Sequence, residues 1–139
     1  MKLLTITFVL LLLIIVLIAN LGLGSMFFPF MYEVPGADKV GHFLLIGILS
    51  FLVNYVLRAR SFTIFSRSVL QGSIIILIFV TIEEFSQIFL SSRAFSIMDL
   101  LFDYLGIFVF GFIARYVLTH QRLSNETRTT NSPSKNESD

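Results

Sequence analysis

The chain contains no cysteine, so it can form neither a disulfide framework nor a thiolate metal site. Charge is also scarce: 14% of the residues are Asp, Glu, Lys or Arg, and the formal net charge is +1. The basic residues never gather into a stripe, which removes the electrostatic footprint of a nucleic-acid-binding protein. No internal repeat is visible, and four spans without a repeat make a poor alternating-access unit, so transport is a distant reading. Hydrocarbon fills the chain instead. At 55% hydrophobic, with 16 Phe and a mean hydropathy of +0.86, the 139 residues are more apolar than soluble domains, where roughly 45–50% is usual. One membrane domain and a short polar tail account for this pattern.

Four apolar runs are separated by polar or turn-rich breaks: residues 3–19, 40–57, 69–90 and 97–118. Each approaches the ~20 residues that a helix needs to cross about 30 Å of hydrocarbon. None alternates strictly as a barrel strand does, so the expected fold is all-α, four transmembrane helices in an antiparallel bundle. The first run follows Lys2 and is long for a signal-peptide core, and Asn20 to Ser25 offers no clear small-x-small cleavage site; it reads as an uncleaved span. The aromatic stretch from Met26 to Tyr32, broken by Pro29, reads as a loop at the membrane interface. Arg58, Arg60 and Arg67 lie between the second and third runs with no acid among them. Lys2 precedes the first run, and Arg122, Arg128 and Lys135 follow the fourth. The positive-inside rule then makes both termini cytoplasmic, in a multi-pass membrane protein. Residues 119–139, rich in Ser, Thr and Asn, read as a disordered cytoplasmic tail.

Polar residues interrupt these runs at one end. Asp38, Lys39 and His42 open the second. Glu83, Glu84 and Gln87 close the third, Arg93 lies in the link, and Asp99 and Asp103 begin the fourth. An ionisable group in hydrocarbon costs on the order of 2.5–3.5 kcal/mol at the bilayer centre, so a set this dense marks a site. Helical spacing brings the members together: Asp38 and His42, Glu83 and Gln87, and Asp99 and Asp103 are each four apart. At 1.5 Å per residue, Glu84 and Asp103 both lie roughly 9 Å inside their helices. Ser96 and Asp99 have the spacing of a variant capping box, so capping is the structural reading of Asp99. Snorkelling to headgroups is that of Arg93. Gly41, Gly47, Gly106 and Gly111 are the candidates for close helix packing.

Two cations face five carboxylates in this set. Three arrangements fit: protonated acids, a divalent cation with His42 as a nitrogen ligand, or a polar ligand accepted by the carboxylates. No spacing matches a dedicated metal motif, and the metal-free pocket is preferred, with no cofactor expected. Arg93 and Lys39 suit a phosphate or carboxylate. Glu84 and Asp103 suit hydroxyl or amino groups, or acid–base work, with His42 carrying the proton. The candidate catalytic groups are therefore Glu84, Asp103 and His42. The candidate ligand-binding set is Asp38, Lys39, His42, Glu84, Gln87, Arg93, Asp99 and Asp103.

The pattern Glu84-x-x-Gln87-x-Phe89, then Arg93, then Asp99-x-x-x-Asp103-x-x-Gly106 resembles the signature of the VanZ-like membrane protein family. So does Asp38-Lys39-x-x-His42-Phe43 upstream. The resemblance covers roughly residues 40–111, with Ser91-Ser92 standing where the family usually has Pro-Gly. It implies a small bacterial four-helix inner-membrane protein and a link to glycopeptide resistance, from which the family takes its name; it implies no reaction. The residues and the resemblance together point to an outward-facing pocket that binds or modifies a cell-envelope glycan or lipid-linked intermediate. The alternative is a non-enzymatic subunit whose polar cluster serves the assembly of an envelope complex.

Overall fold

The computed structural model describes residues 1–64, 66–90 and 95–130. Along the chain these form α1 (Lys2–Asn20), α2 (Gly24–Phe27), α3 (Pro29–Glu33), α4 (Ala37–Val56), β1 (Ser61–Ile64), β2 (Arg67–Leu70), α5 (Gln71–Ser86) and α6 (Ile97–Thr130). A 3₁₀ turn, Gln87–Phe89, extends α5, and α1, α4, α5 with this turn, and α6 are each long and apolar enough to cross a membrane.

The distribution of side chains is the reverse of a soluble protein's. The largest fully buried side chains are Gln87, Glu84, Asn54 and Ser50, all polar. Leu3, Ile82, Phe108 and Phe112 are exposed. In water such a surface would be a large apolar patch inviting association. In hydrocarbon it is the favourable solvent face, and the polar groups are those that must turn inward. A small apolar core of Leu12, Leu49, Ile76, Val80, Leu100 and Ile107 fills the centre.

α4 and α6 form the closest pair, and two glycines let them meet. A Cβ on Gly106 would overlap the Phe43 carbonyl oxygen and press on the Gly47 backbone nitrogen at 3.2 Å. One on Gly47 would strike the Phe110 ring at 2.5 Å. Small residues thus bring the two backbones into contact, the usual device where no hydrophobic effect drives helices together. Along this seam His42 meets Asp103, Ser50 donates to the Ile107 carbonyl (3.3 Å) and Tyr55 donates to Gln121 (3.3 Å), so α4 and α6 run in the same direction. α5 runs against them. Its Thr81 bonds Tyr104 at 2.7 Å, and its Ser73 accepts from Asn54 at 2.9 Å.

Several elements differ from the sequence expectation. Residues 69 and 70 belong to a strand, not to the third helix, and the linker folds as an antiparallel hairpin with Ser61 opposite Leu70 and Phe62 opposite Val69. Aromatic and β-branched residues favour that state, and Arg58, Ala59 and Ser66 supply the left-handed turns on either side of β1 (φ 54°, 50° and 63°). The expected interface loop at Met26–Tyr32 contains two short helices, α2 and α3, with Pro29 at the first helical position, where its missing N–H costs nothing. The fourth helix does not end at Leu118: it runs to Thr130, because no proline or glycine interrupts it there and Arg122 donates to the Arg58 carbonyl at 3.1 Å. The rest of the expected tail, residues 131–139, lies outside the described residues.

Candidate functional site

The site is built where α4 begins, α5 ends and α6 begins. α6 starts at Ile97 because Ser96 caps it: the Ser96 Oγ accepts the Asp99 N–H at 3.2 Å. In a complete capping box the residue at Asp99's position would reach back to the Ser96 N–H. Here Glu84 performs that task from another helix, its Oε1 accepting the Ser96 N–H at 2.7 Å. Asp99 is thereby released from its local cap and faces α4 instead.

There it joins His42 and Lys39. The His42 Nδ1 lies 3.1 Å from the Asp103 Oδ1, and the His42 Nε2 lies 3.9 Å from the Asp99 Oδ2. One imidazole is thus bracketed by two carboxylates one helical turn apart on α6. Lys39 Nζ sits 3.7 Å from Asp99 and donates to Asp38 at 2.8 Å. Asp103 is almost completely buried, with 4% of its side chain exposed, whereas Lys39 and Asp38 are at the mouth, at 33% and 42%. The gradient runs from a half-exposed ion pair at the rim to a buried acid.

A second group lies beside the first. Gln87 donates to Glu84 (3.1 Å) and to both oxygens of Glu83 (3.2 and 3.1 Å). Glu84 is fully buried and its oxygens are taken by Gln87 and Ser96. It holds α5 to the start of α6.

Between α1, α4, α5 and α6 there is a cavity of about 370 Å³, within the ~300–1,000 Å³ typical of ligand pockets. Asp38, His42, Glu83, Asp99 and Asp103 line its polar part. Glu84 and Gln87, expected as ligand contacts, stand behind this lining, and Lys39 reaches it through Asp38 and Asp99. Glu83 was the less expected member: it shares a helical turn with Gln87 like its neighbour, and only the rotation of α5 decides which of the two acids faces the cavity. Arg93 lies outside the described residues.

The chemistry open to this arrangement follows from the imidazole. A carboxylate on Nδ1 fixes the ring and its tautomer and leaves Nε2 to exchange a proton with a ligand. The 3.9 Å gap to Asp99 is too long for a hydrogen bond and leaves that nitrogen available. Among the described residues the nearby hydroxyls are engaged elsewhere, Ser86 with the Glu83 carbonyl (2.6 Å) and Ser96 as the cap. Among the described residues no three His, Asp or Glu side chains converge as a set that could hold one metal ion.

A further polar cluster, absent from the sequence reading, occupies the far half of the bundle. Asn54 donates to the Ser50 carbonyl and to Ser73 Oγ, both at 2.9 Å, and ties α4 to α5. The signal was available: Ser50 and Asn54 are four apart in the middle of a span. Compared with family models, with curated proteins and with solved structures, the chain gives no match, so function must be argued from this geometry.

Proposed function

We propose that the protein is a multi-pass component of the bacterial plasma membrane, of VanZ-like type, whose outward-facing pocket binds a cell-envelope glycan or lipid-linked intermediate through hydroxyl or amino groups. In this reading the four long helices are an up-and-down bundle with both termini cytoplasmic. Arg58, Arg60 and the hairpin then lie on the positive side, and the cavity opens toward the envelope. The observation that carries the reading is the bracketed imidazole: His42, held by Asp103 and facing Asp99, at the polar end of a cavity among membrane-length helices. Among the described residues five carboxylates and one lysine lie in and beside this end of the cavity, an acceptor-rich set that favours a ligand that donates hydrogen bonds. The resemblance to the VanZ-like family adds to this proposal a link to glycopeptide resistance.

The polar end could instead serve assembly in a larger envelope complex, without a ligand. The observation favouring that reading is the internal saturation of Glu84 and Gln87, which behave as structural groups. The two readings separate on Asp99→Asn and Asp103→Asn. The ligand reading expects an envelope phenotype to be lost while membrane levels stay near wild type. Loss of folded protein, measured by protease resistance in membranes, is the result that supports the assembly reading instead.

A further inference from the structure

The cavity is segregated along its length. Beyond the polar end, its wall is built by Val9, Leu12 and Val16 of α1 with Leu45 and Leu49 of α4 and Val80 of α5. This is several turns of uninterrupted hydrocarbon, far more apolar wall than a soluble sugar would use. α1 packs chiefly on α4, with no comparable contact to α5. The seam between α1 and α5 is bordered by Leu13 and Phe79, both about half exposed (47% and 46%) and both lining the cavity. The apolar part therefore opens sideways, toward bilayer if these helices cross one.

We propose that the ligand is an amphiphile drawn from the bilayer, with a single hydrocarbon chain lying along α1 and an amine-bearing head at the polar end. The inference rests on the functional reading above and narrows it from a glycan or lipid-linked molecule to a lipid with a cationic head. The head chemistry follows from the lining. Among the described residues four carboxylates and one imidazole face the cavity, while Lys39 is turned to Asp38 and Asp99. An ammonium group can donate to the Asp99 carboxylate, and His42 Nε2, 3.9 Å from Asp99 Oδ2 and not bonded to it, is free to accept from a donor placed alongside. A sulfate or phosphate head would add negative charge to a set that already has an excess. The chain gains little over its place in the lipid, because hydrocarbon exchanges for hydrocarbon. Selection must therefore come from the head, and the seam serves as the route.

The test uses the full chain reconstituted in zwitterionic vesicles. Two probes carry the same diazirine-bearing dodecyl chain, one ending in a primary amine and the other in a sulfate. Photolabelling is mapped by peptide mass spectrometry. Leu12 and Leu49 are buried (8% and 4% exposed), so label there reports the cavity, whereas Phe108 and Phe112 report ordinary lipid contact. The expected result is labelling of Leu12 and Leu49 by the amine at least about tenfold above the sulfate, the scale of one charge-assisted hydrogen bond. The outer residues should label equally with both. Asp99→Asn with Asp103→Asn should remove the preference, and the wild-type comparison of the two heads stands even if that variant misfolds. Equal labelling of Leu12 and Leu49 by both heads would overturn the inference, and a melting comparison with glucosamine then decides whether the polar end binds a ligand at all. If only Phe108 and Phe112 label, while glucosamine raises the melting temperature of wild type but not of Asp103→Asn, the amphiphile is wrong and the polar site stands. Absence of both effects contradicts both.

Discussion

Glu83 and Glu84 are adjacent, chemically alike and about 100° apart around their helix, and that rotation gives them different work. Glu84 is completely buried and accepts from a backbone N–H and an amide. Glu83 lines the cavity and accepts from Gln87. Replacing Glu84 with Ala strands the Ser96 N–H, which costs about 1–3 kcal/mol, whereas the Gln87 amide keeps Glu83 as an acceptor. Glu83→Gln keeps size and an acceptor oxygen and should cost less than about 1 kcal/mol. Thermal melting in detergent checks the pair: Glu84→Ala should melt well below Glu83→Gln. Equal melting temperatures would mean that the division of labour between the two acids is wrong. The i, i+4 spacing of Asp99 and Asp103 made their common face legible in the sequence. Which of two neighbouring glutamates turned inward was not, because a one-residue rotation is set by packing across α4 and α6 rather than by local pattern.

At the scale of elements, α4 and α6 are held in contact by Gly47 and Gly106, and their register places His42 against Asp103. A methyl group at Gly106 would meet the Phe43 carbonyl, a backbone atom that cannot swing aside. Gly106→Ala should therefore destabilise by about 1–3 kcal/mol, as overpacking does, and should widen the seam that carries the site. The measurement is a denaturation midpoint in mixed micelles, with Gly36→Ala as a contrast: there no atom lies within 4 Å, and the left-handed φ of +81° is the source of strain. A Gly106→Ala protein as stable as wild type would refute the close approach of these helices. The four long helices could be read from composition because each is a continuous apolar run. The hairpin at Ser61–Leu70 could not, since Val69 and Leu70 look like the first residues of the next span. Nor could the continuation of α6 past Leu118, whose polar residues have no apolar period and are fixed by contacts such as Arg122 with the Arg58 carbonyl.

For the whole molecule, burial of polar groups and exposure of phenylalanine fit four helices long and apolar enough to cross a membrane. The expected orientation has its own measurement, made simple by the absence of cysteine. A cysteine at Glu33, exposed between α1 and α4, should react with a membrane-impermeant maleimide in intact cells. One at Ser61, in the hairpin, should react only after lysis; the opposite pattern would turn the pocket toward the cytoplasm. The functional claim itself is tested most directly by native mass spectrometry of the full chain, purified from its membrane in mild detergent beside Asp103→Asn. The expected result is an amine- or hydroxyl-bearing envelope molecule bound to wild type and missing from a variant that melts within a few degrees of it. A wild-type protein that carries no such molecule, or a variant that retains it in full, would contradict the assignment of this pocket as a binding site.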